Sequence, residues 1–338
     1  MASESVAPRA GTGAVDRPAE DRRRLVAGWR TIARKELADH MLSVRFTVLL
    51  VLLGLAAAGA VFAAAGAIRD VASQAAGTPA LFLRLFTVAP ERVPAFFTIV
   101  SLLAPLLGIA FGFDAVNGER SQGTLPRLLS QPIHRDDVVN GKFVAGLSVI
   151  AMLLAALTLI VAGVGIFRLG IRPSADETAR IVVWLVVTVV YVAFWLAFAT
   201  LCSVWLRRAA TSALVGIATW LVLTLFAGIL VGVLADGLAP VDDFSGPDQV
   251  IRNAQFEQTL GRLSPSTLYE EATIVLLNPE ARSAGFLLPQ QLDRAVTSEL
   301  ALQQSLLLVW PQAVGMVALT VLCFAIAYVL FMRQEVRA

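Results

Sequence analysis

The chain has 338 residues, of which 57% are hydrophobic and 15% are charged, and its formal net charge is +2. A typical soluble domain has about 25% charged residues, so this composition argues against a soluble globular protein and against a disordered one. The small net charge gives no indication of a nucleic-acid partner. Two histidines and two cysteines, the latter inside apolar runs, provide neither a histidine-rich metal site nor a disulfide framework. The composition therefore predicts a polytopic membrane protein.

Six apolar stretches are each long enough to cross about 30 Å of hydrocarbon, so we expect an all-α protein with six transmembrane helices. Residues 1–20 are polar and rich in Ala, Gly and Pro, and we expect them to form a disordered tail. The expected spans are 46–68, 95–113, 143–167, 181–206, 209–235 and 306–332.

The pre-membrane residues 21–44 carry apolar side chains at helical spacing. They fall on one side of the expected helix, with Ile32 at its edge: Val26, Trp29, Ala33, Leu37 and Val44. Basic residues, among them Arg34 and Lys35, lie mostly elsewhere. This pattern predicts an interfacial amphipathic helix whose basic side meets anionic lipid headgroups. The alternative is a loose positively charged flank.

The segment 114–142 joins the second and third spans and is densely patterned. Thr124 can cap a short helix with Pro126 in its first turn. Pro132 ends that helix, and another begins at 134–137 and leads into the third span. An apolar patch is formed beside Arg120 and Arg127 by Leu125, Leu128 and Leu129. These features predict a helix that docks into another protein; the alternative is a helix lying flat on the bilayer.

The segment 236–305 is the longest loop, and helices are expected in it at 248–263 and 266–277. Ser266 is the expected cap of the second helix, and Glu270 and Glu271 are expected on a solvated face. A further helix is expected from Pro289 into the sixth span, with a bend at Pro311. A lid over the mouth of the bundle and a simple spacer are both open interpretations.

Lys and Arg residues are unequally distributed between the two sides of the membrane. Outside the segment 236–305, short loops on the side of residue 1 hold twelve and those on the other side hold six. Cytoplasmic loops are enriched in basic residues, so we expect both termini in the cytoplasm and 236–305 outside.

Catalytic patterns are missing from the sequence. It has no HExxH helix, no GxSxG elbow and no P-loop, so we expect a protein that is not an enzyme and holds no cofactor of its own. No ionisable residue falls in the middle of an expected span. Because such residues mark ion paths, a proton-coupled carrier is disfavoured.

Several residues of the loop 114–142 together resemble a family signature. The order GER..GT…P..R…GK of ABC type-2 transporter permeases is matched by Gly118-Glu119-Arg120, Gly123-Thr124-Leu125, Pro132, Arg135 and Gly141-Lys142. Residues 32–37 resemble the elbow helix of that family. The chain resembles the permeases of copper-processing, nitrous-oxide-reductase maturation systems, along with many unassigned export permeases, and the resemblance covers about residues 29–338.

The resemblance implies the ABC type-2 permease fold in a prokaryotic plasma membrane. Two such chains pair, as a homodimer or a heterodimer, and each docks a separate ATPase subunit, so that the complex holds two copies of the subunit that binds ATP and Mg. It implies an exporter; a membrane scaffold or regulator of an envelope complex with the same fold is the alternative.

The expected docking residues are Glu119, Arg120, Gly123, Thr124, Leu125, Arg127, Leu128, Pro132, Arg135, Asp136 and Lys142. The expected elbow residues in contact with lipid are Val26, Trp29, Arg34, Lys35 and Leu37. Among the docking residues, Glu119 needs a basic partner at the membrane boundary, and that partner could belong to this chain or to the ATPase.

Overall fold

The structure is a computed structural model that describes residues 28–72, 80–89, 93–124, 134–241, 245–281 and 300–334. Every regular element among these residues is a helix, which confirms the all-α fold class. The helices are α1 (Gly28–Met41), α2 (Val44–Ala72), α3 (Arg84–Thr87), α4 (Phe96–Gly112), α5 (Asn117–Ser121), α6 (Arg135–Leu169), α7 (Ala175–Trp205), α8 (Ala209–Leu221), α9 (Ala227–Leu238), α10 (Pro247–Gly261), α11 (Pro265–Leu277) and α12 (Leu302–Arg333). A π-helical turn, Val222–Phe226, joins α8 to α9.

Six helical stretches in the described part of the chain are long and apolar enough to cross a membrane. They are Val44–Ile68, Phe96–Ser121, Arg135–Leu169, Ala175–Trp205, Ala209–Leu238 and Leu302–Arg333. The expected number of spans is therefore confirmed. The helix of the third span, α6, starts well before the expected residue 143, because polar residues from Arg135 onward continue the same helix. We call the end of the bundle that holds α1 and α5 the proximal end, and the opposite end the distal end.

Helix α7 lies at the centre of the bundle and contacts α4, α6, α8, α11 and α12. Its start is fixed by Ser174 and Glu177: the Ser174 hydroxyl accepts from the Glu177 amide at 3.1 Å, and the Glu177 carboxylate accepts from the Ser174 amide at 2.8 Å. Such reciprocal capping satisfies amides that have no partner within the helix. The strongly apolar residues that follow keep α7 helical and bury most of its surface.

Glycines allow α4 to pack directly on the backbone of α7. A Cβ atom added to Gly108 would lie 2.7 Å from the amide nitrogen of Leu196. One added to Gly112 would lie 2.8 Å from the Cβ of Ala199. Small residues at helix crossings permit this close approach in membranes. The crossing therefore holds α4, and the loop that follows it, against the central helix.

At the distal end, α11 packs against α7 and α12. The rings of Tyr191 and Tyr269 stack with centroids 4.4 Å apart, and complete burial raises the pKa of Tyr269 to about 12. The expected cap at Ser266 is wrong: α11 begins at Pro265, and the Ser266 hydroxyl instead lies 3.1 Å from that of Tyr191 and 2.9 Å from that of Thr224. The cause is tertiary, since α11 is packed between other helices.

The two glutamates of α11 differ in their surroundings. Glu270 is exposed and accepts a hydrogen bond from Ser101. The solvated face expected for Glu271 is wrong, because its carboxylate is largely buried and lies 3.0 Å from Arg262 Nε and 2.9 Å from Gln312 Nε2. Paired groups of opposite charge can be buried in this way. The helix start expected at Pro289 lies outside the described residues, and α12 runs continuously through Pro311.

Arg180 of α7 is fully buried at the distal end. It falls in the loop expected between the third and fourth spans, since the expected fourth span begins at 181. Its guanidinium lies 2.6 Å from the carboxylate of Asp176 and 3.0 Å from the hydroxyl of Ser305. It also donates to the carbonyls of Leu276 and Leu300. One side chain therefore connects the starts of α7 and α12 with the end of α11.

Candidate docking and coupling site

Helix α1 lies across the start of α6 with its backbone in close contact. A Cβ atom added to Gly141 would lie 2.8 Å from Ile32 Cγ2 and 2.9 Å from the carbonyl oxygen of Trp29. Likewise, a Cβ atom on Gly28 would lie 2.4 Å from a carboxylate oxygen of Asp137. The glycine of the Gly141-Lys142 pair and Gly28 of α1 therefore both allow the two helices to approach closely.

The apolar side expected for this helix is centred on the wrong residue. Ile32, expected at its edge, is buried, whereas Val44 is 78% exposed. The helix ends at Met41, and Ser43 accepts a hydrogen bond from the Phe46 amide at the start of α2. Because the chain turns there, Val44 belongs to the first span and not to the face of α1.

The remaining elbow residues divide between the two sides of α1. Trp29 and Leu37 are half-buried, and Arg34 and Lys35 are exposed. Lys35 lies 3.4 Å from Asp39 in the next turn. Val26 lies outside the described residues, and contact of Arg34 and Lys35 with lipid headgroups stays a prediction.

Lys142 joins three elements of the proximal end. Its Nζ lies 3.0 Å from the carboxylate of Glu36 on α1 and 2.9 Å from that of Glu119 on α5. The exposed fractions of the three side chains are only 10%, 13% and 20% for Lys142, Glu36 and Glu119. Charges this poorly hydrated interact more strongly than surface pairs. The partner of Glu119 is therefore a basic residue of this chain.

The start of α5 is attached to the end of α7. The Ser203 hydroxyl accepts from the amides of Val116 and Asn117 at 3.0 and 3.1 Å, which satisfies two donors that α5 itself leaves free. Asn117 is fully buried, and neither polar atom of its side chain has a hydrogen-bond partner among the described residues. The short helix is thus held by the central helix of the bundle.

The end of α5 is closed by Gly123 and Thr124. Gly123 has a φ of 66°, a conformation that glycine adopts at little cost. The amide and hydroxyl of Thr124 both donate to the carbonyl of Glu119, at 3.0 and 3.3 Å. Thr124 therefore caps the carboxyl end of α5, the helix that precedes it. The docking helix expected after it, with Leu125, Arg127, Leu128 and Pro132, lies outside the described residues.

Two arginines bind Gln334, the residue that follows α12: Arg120, which is half-buried on α5, and Arg135, which is exposed at the start of α6. Arg120 donates to Gln334 Oε1, and Arg135 Nη1 donates to the Gln334 carbonyl at 3.2 Å. Asp136 follows Arg135 in the first turn of α6, where the helix dipole favours a carboxylate. His134 caps this turn, with its amide donating to Asp137 at 3.3 Å.

The first span is tied to the same region through Arg45. This residue lies 2.6 Å from Asp114 and stands over the ring of Phe113, 4.9 Å from its centroid. The imidazole of His40 packs edge-on against Phe111 at 5.0 Å. Burial lowers the pKa of His40 below 6.5, although Glu36 acts in the opposite direction.

The structure thus brings together Glu119, Arg120, Arg135 and Lys142 of the expected docking residues. Sequence reasoning missed two of their partners, Glu36 and Gln334, and it also missed Ser203 and the buried Asn117 at the start of α5. Motif spacing and periodicity do not indicate these contacts, because the groups that meet are far apart in the sequence. The arrangement connects helix ends to one another.

The match to a protein family agrees with this arrangement. The family model described as "ABC-2 family transporter protein" matches residues 30–336. A protein of Pseudomonas aeruginosa named "Probable ABC transporter permease protein NosY" is 31% identical over 147 residues, which are 44% of this chain and 46% of that protein. A protein of the same name from Stutzerimonas stutzeri is 29% identical over 113 residues, covering 33% and 36% of the two chains.

The aligned regions span less than half the length of these two relatives. The family model, by contrast, extends over all six membrane-crossing helices and over the described proximal site from residue 30 onward. The chain therefore belongs to the ABC-2 family of transporter proteins.

Proposed function

We propose that the chain is the membrane-spanning permease subunit of an ATP-driven transporter and works as an exporter. It pairs with a second permease chain, identical or related, and two copies of a separate ATPase bind at the proximal end. ATP and Mg are held by that ATPase. The proximal end faces the cytoplasm of a prokaryotic cell, as the distribution of basic residues favours.

The observation that carries this proposal is the contact of Lys142 with Glu36 and Glu119. These two contacts tie α1 and α5 to the start of a 35-residue membrane-crossing helix. A displacement of α5 by an ATPase bound at the proximal end would be transmitted directly to the long helices. Because packed helices shift between discrete arrangements, such a connection suits the conversion of ATPase closure into a rearrangement of the spans.

The proposal is tested by expressing the tagged chain with candidate ABC ATPase subunits from the same genome and reconstituting the purified complex in lipid vesicles. We expect the ATPase to copurify, and the chain purified alone to bind no ATP. Candidate substrates that stimulate ATP hydrolysis and accumulate on the far side identify the cargo. Assembly with the ATPase but no substrate-stimulated hydrolysis and no transport would favour a scaffold. Nucleotide binding by the lone chain would contradict the division of labour.

A further inference from the structure

The proximal end of α12 is packed on the coupling site through a small apolar cluster. The cluster is separate from the main core and its buried members come from four elements: Val116, Val139, Val204 and Phe331. Next to it, the rings of Phe143 and Phe324 lie 4.6 Å apart. The end of α12 is therefore in contact with the start of α5, with α6 and with α7.

Beside this cluster, Gln334 binds three different elements. Its Oε1 accepts from Arg120 of α5, and its Nε2 donates to the Val204 carbonyl of α7 at 2.7 Å. Its own carbonyl accepts from Arg135 of α6 at 3.2 Å. Both polar atoms of the side-chain amide are used, and Arg120 and Arg135 direct donors toward α12 and not only toward solvent.

An amide is suited to this position because it offers one acceptor and two donors at fixed separation. A carboxylate would keep the bond to Arg120 but would face the Val204 carbonyl without a donor. An alanine would lose both side-chain bonds and keep the backbone bond to Arg135. Substitutions at residue 334 can therefore remove these contacts one or two at a time.

Helix α12 connects this point with the distal end. Its 32 residues form one helix, about 48 Å long at about 1.5 Å per residue. Near its distal end, Ser305 binds Arg180, and Gln312 binds Glu271 of α11. A displacement of α5 that carries the end of α12 with it would thus reach α11 through one continuous helix.

We propose that Gln334 is a positioning residue that makes α12 follow α5, so that movement imposed on α5 is transmitted to the distal end. The inference rests on the proposed function, in which an ATPase moves α5. It adds a specific route: from Arg120 through Gln334 into α12, and along α12 to α11. Gln334 sets the relative position of the two helices and takes no part in binding ATP or cargo.

The test uses two fluorescent reporters in the complex with its ATPase, reconstituted in lipid nanodiscs. In a background with Cys202 and Cys323 changed to Ala, single cysteines replace exposed Ser121 on α5 or exposed Gln304 near the distal end of α12. Each is labelled with an environment-sensitive maleimide dye. Fluorescence is compared before and after trapping with ATP and vanadate, in the parent and in each variant at residue 334.

We expect both reporters to respond in the parent. In Gln334→Ala the reporter at 121 should still respond, whereas the response at 304 should be largely lost, because both side-chain bonds of residue 334 are gone. Gln334→Glu should give an intermediate response, because it keeps one of the two side-chain bonds. Met332→Ala, which removes a side chain of similar size that is 40% exposed, should behave as the parent.

A double-mutant cycle assigns the effect to the Arg120 contact. If Arg120→Gln and Gln334→Ala act through one bond, the double variant should lose no more than the more affected single variant. An unchanged response at 304 in Gln334→Ala would overturn the inference, and so would loss of the response at 121, since Gln334 would then only hold the fold. Absence of both responses or of the ATPase from the parent would overturn the proposed function itself.

Discussion

Lys142 holds carboxylates from two different helices, and its removal would leave both at a poorly hydrated boundary. Breaking a buried ion pair by removing one partner costs about 3–5 kcal/mol. We expect Lys142→Met to lower the free energy of unfolding by about 3 kcal/mol. Glu119→Gln should cost about 1 kcal/mol, because Glu36 still pairs with Lys142. Thermal unfolding in detergent measures both changes.

Lys35→Met is the matched control, since the Lys35 side chain is 71% exposed and exposed pairs contribute little. Equal losses for the variants at 35 and 142 would contradict a special role for Lys142.

Glu119→Gln should also leave membrane insertion intact and lower substrate-stimulated ATP hydrolysis, because α5 is then held less firmly on α6.

The lowered pKa of His40 makes the stability of the folded chain dependent on pH. Its pKa in the folded protein lies below 6.5 because burial disfavours the imidazolium. The unfolded chain therefore takes up a proton at a higher pH than the folded one, and stability falls as the pH drops through this range. We expect the unfolding temperature to fall between about pH 7.5 and about pH 5.5, and to fall less in His40→Gln. An equal fall in both proteins would show that other groups cause the effect.

At the scale of whole elements, the crossing of α4 and α7 depends on two positions without side chains. We expect Gly108→Ala to destabilise the protein by about 1–3 kcal/mol, the usual cost of overpacking a tight contact, because the new Cβ would meet the backbone of Leu196. Gly59→Ala is the control, since no atom lies within 4 Å of a Cβ added there. Measured in the same detergent, the unfolding temperature of Gly108→Ala should be lower than that of Gly59→Ala.

Elements with a strong apolar signal could be predicted from sequence, and their mutual contacts could not. The number of membrane-crossing helices follows from length and hydropathy, which do not depend on neighbours. The face of α1 was misplaced because the break at Ser43 is a local turn inside a continuous helical pattern. The cap expected at Ser266 failed because a hydroxyl can bind other helices, and periodicity carries no information on them.

The residues of the coupling site show the same division. The signature identified Glu119, Arg120 and Lys142, but the partner of Glu119 remained open since Lys142 lies 23 positions further along the chain. Gln334 carries no charge and no motif, and only its position beside Arg120 in space reveals its contacts. The partners of polar residues at helix ends far apart in sequence can be identified only when the packing of the bundle is known.

For the whole molecule, the proposed orientation makes a direct prediction. Ser121 is exposed at the proximal end, and Ser245 stands between α9 and α10 at the distal end. With Cys202 and Cys323 removed, Ser245→Cys should react in intact cells with a membrane-impermeant maleimide. Ser121→Cys should react only after the membrane is opened. Labelling of residue 121 from outside would reverse the orientation, and with it the side on which an ATPase binds.

Arg180 has a consequence for the order in which the protein is completed during synthesis. The carbonyl of Leu276, the carbonyl of Leu300 and the hydroxyl of Ser305 lie 96, 120 and 125 positions after it. When α7 leaves the ribosome, Asp176 is the one member of this set already made, so the guanidinium must stay hydrated at the membrane surface. It can reach the contacts seen here only after Ser305, in the first turn of the last span, has been made. Chains shortened before α12 would therefore keep a charged, unfinished surface at the distal end.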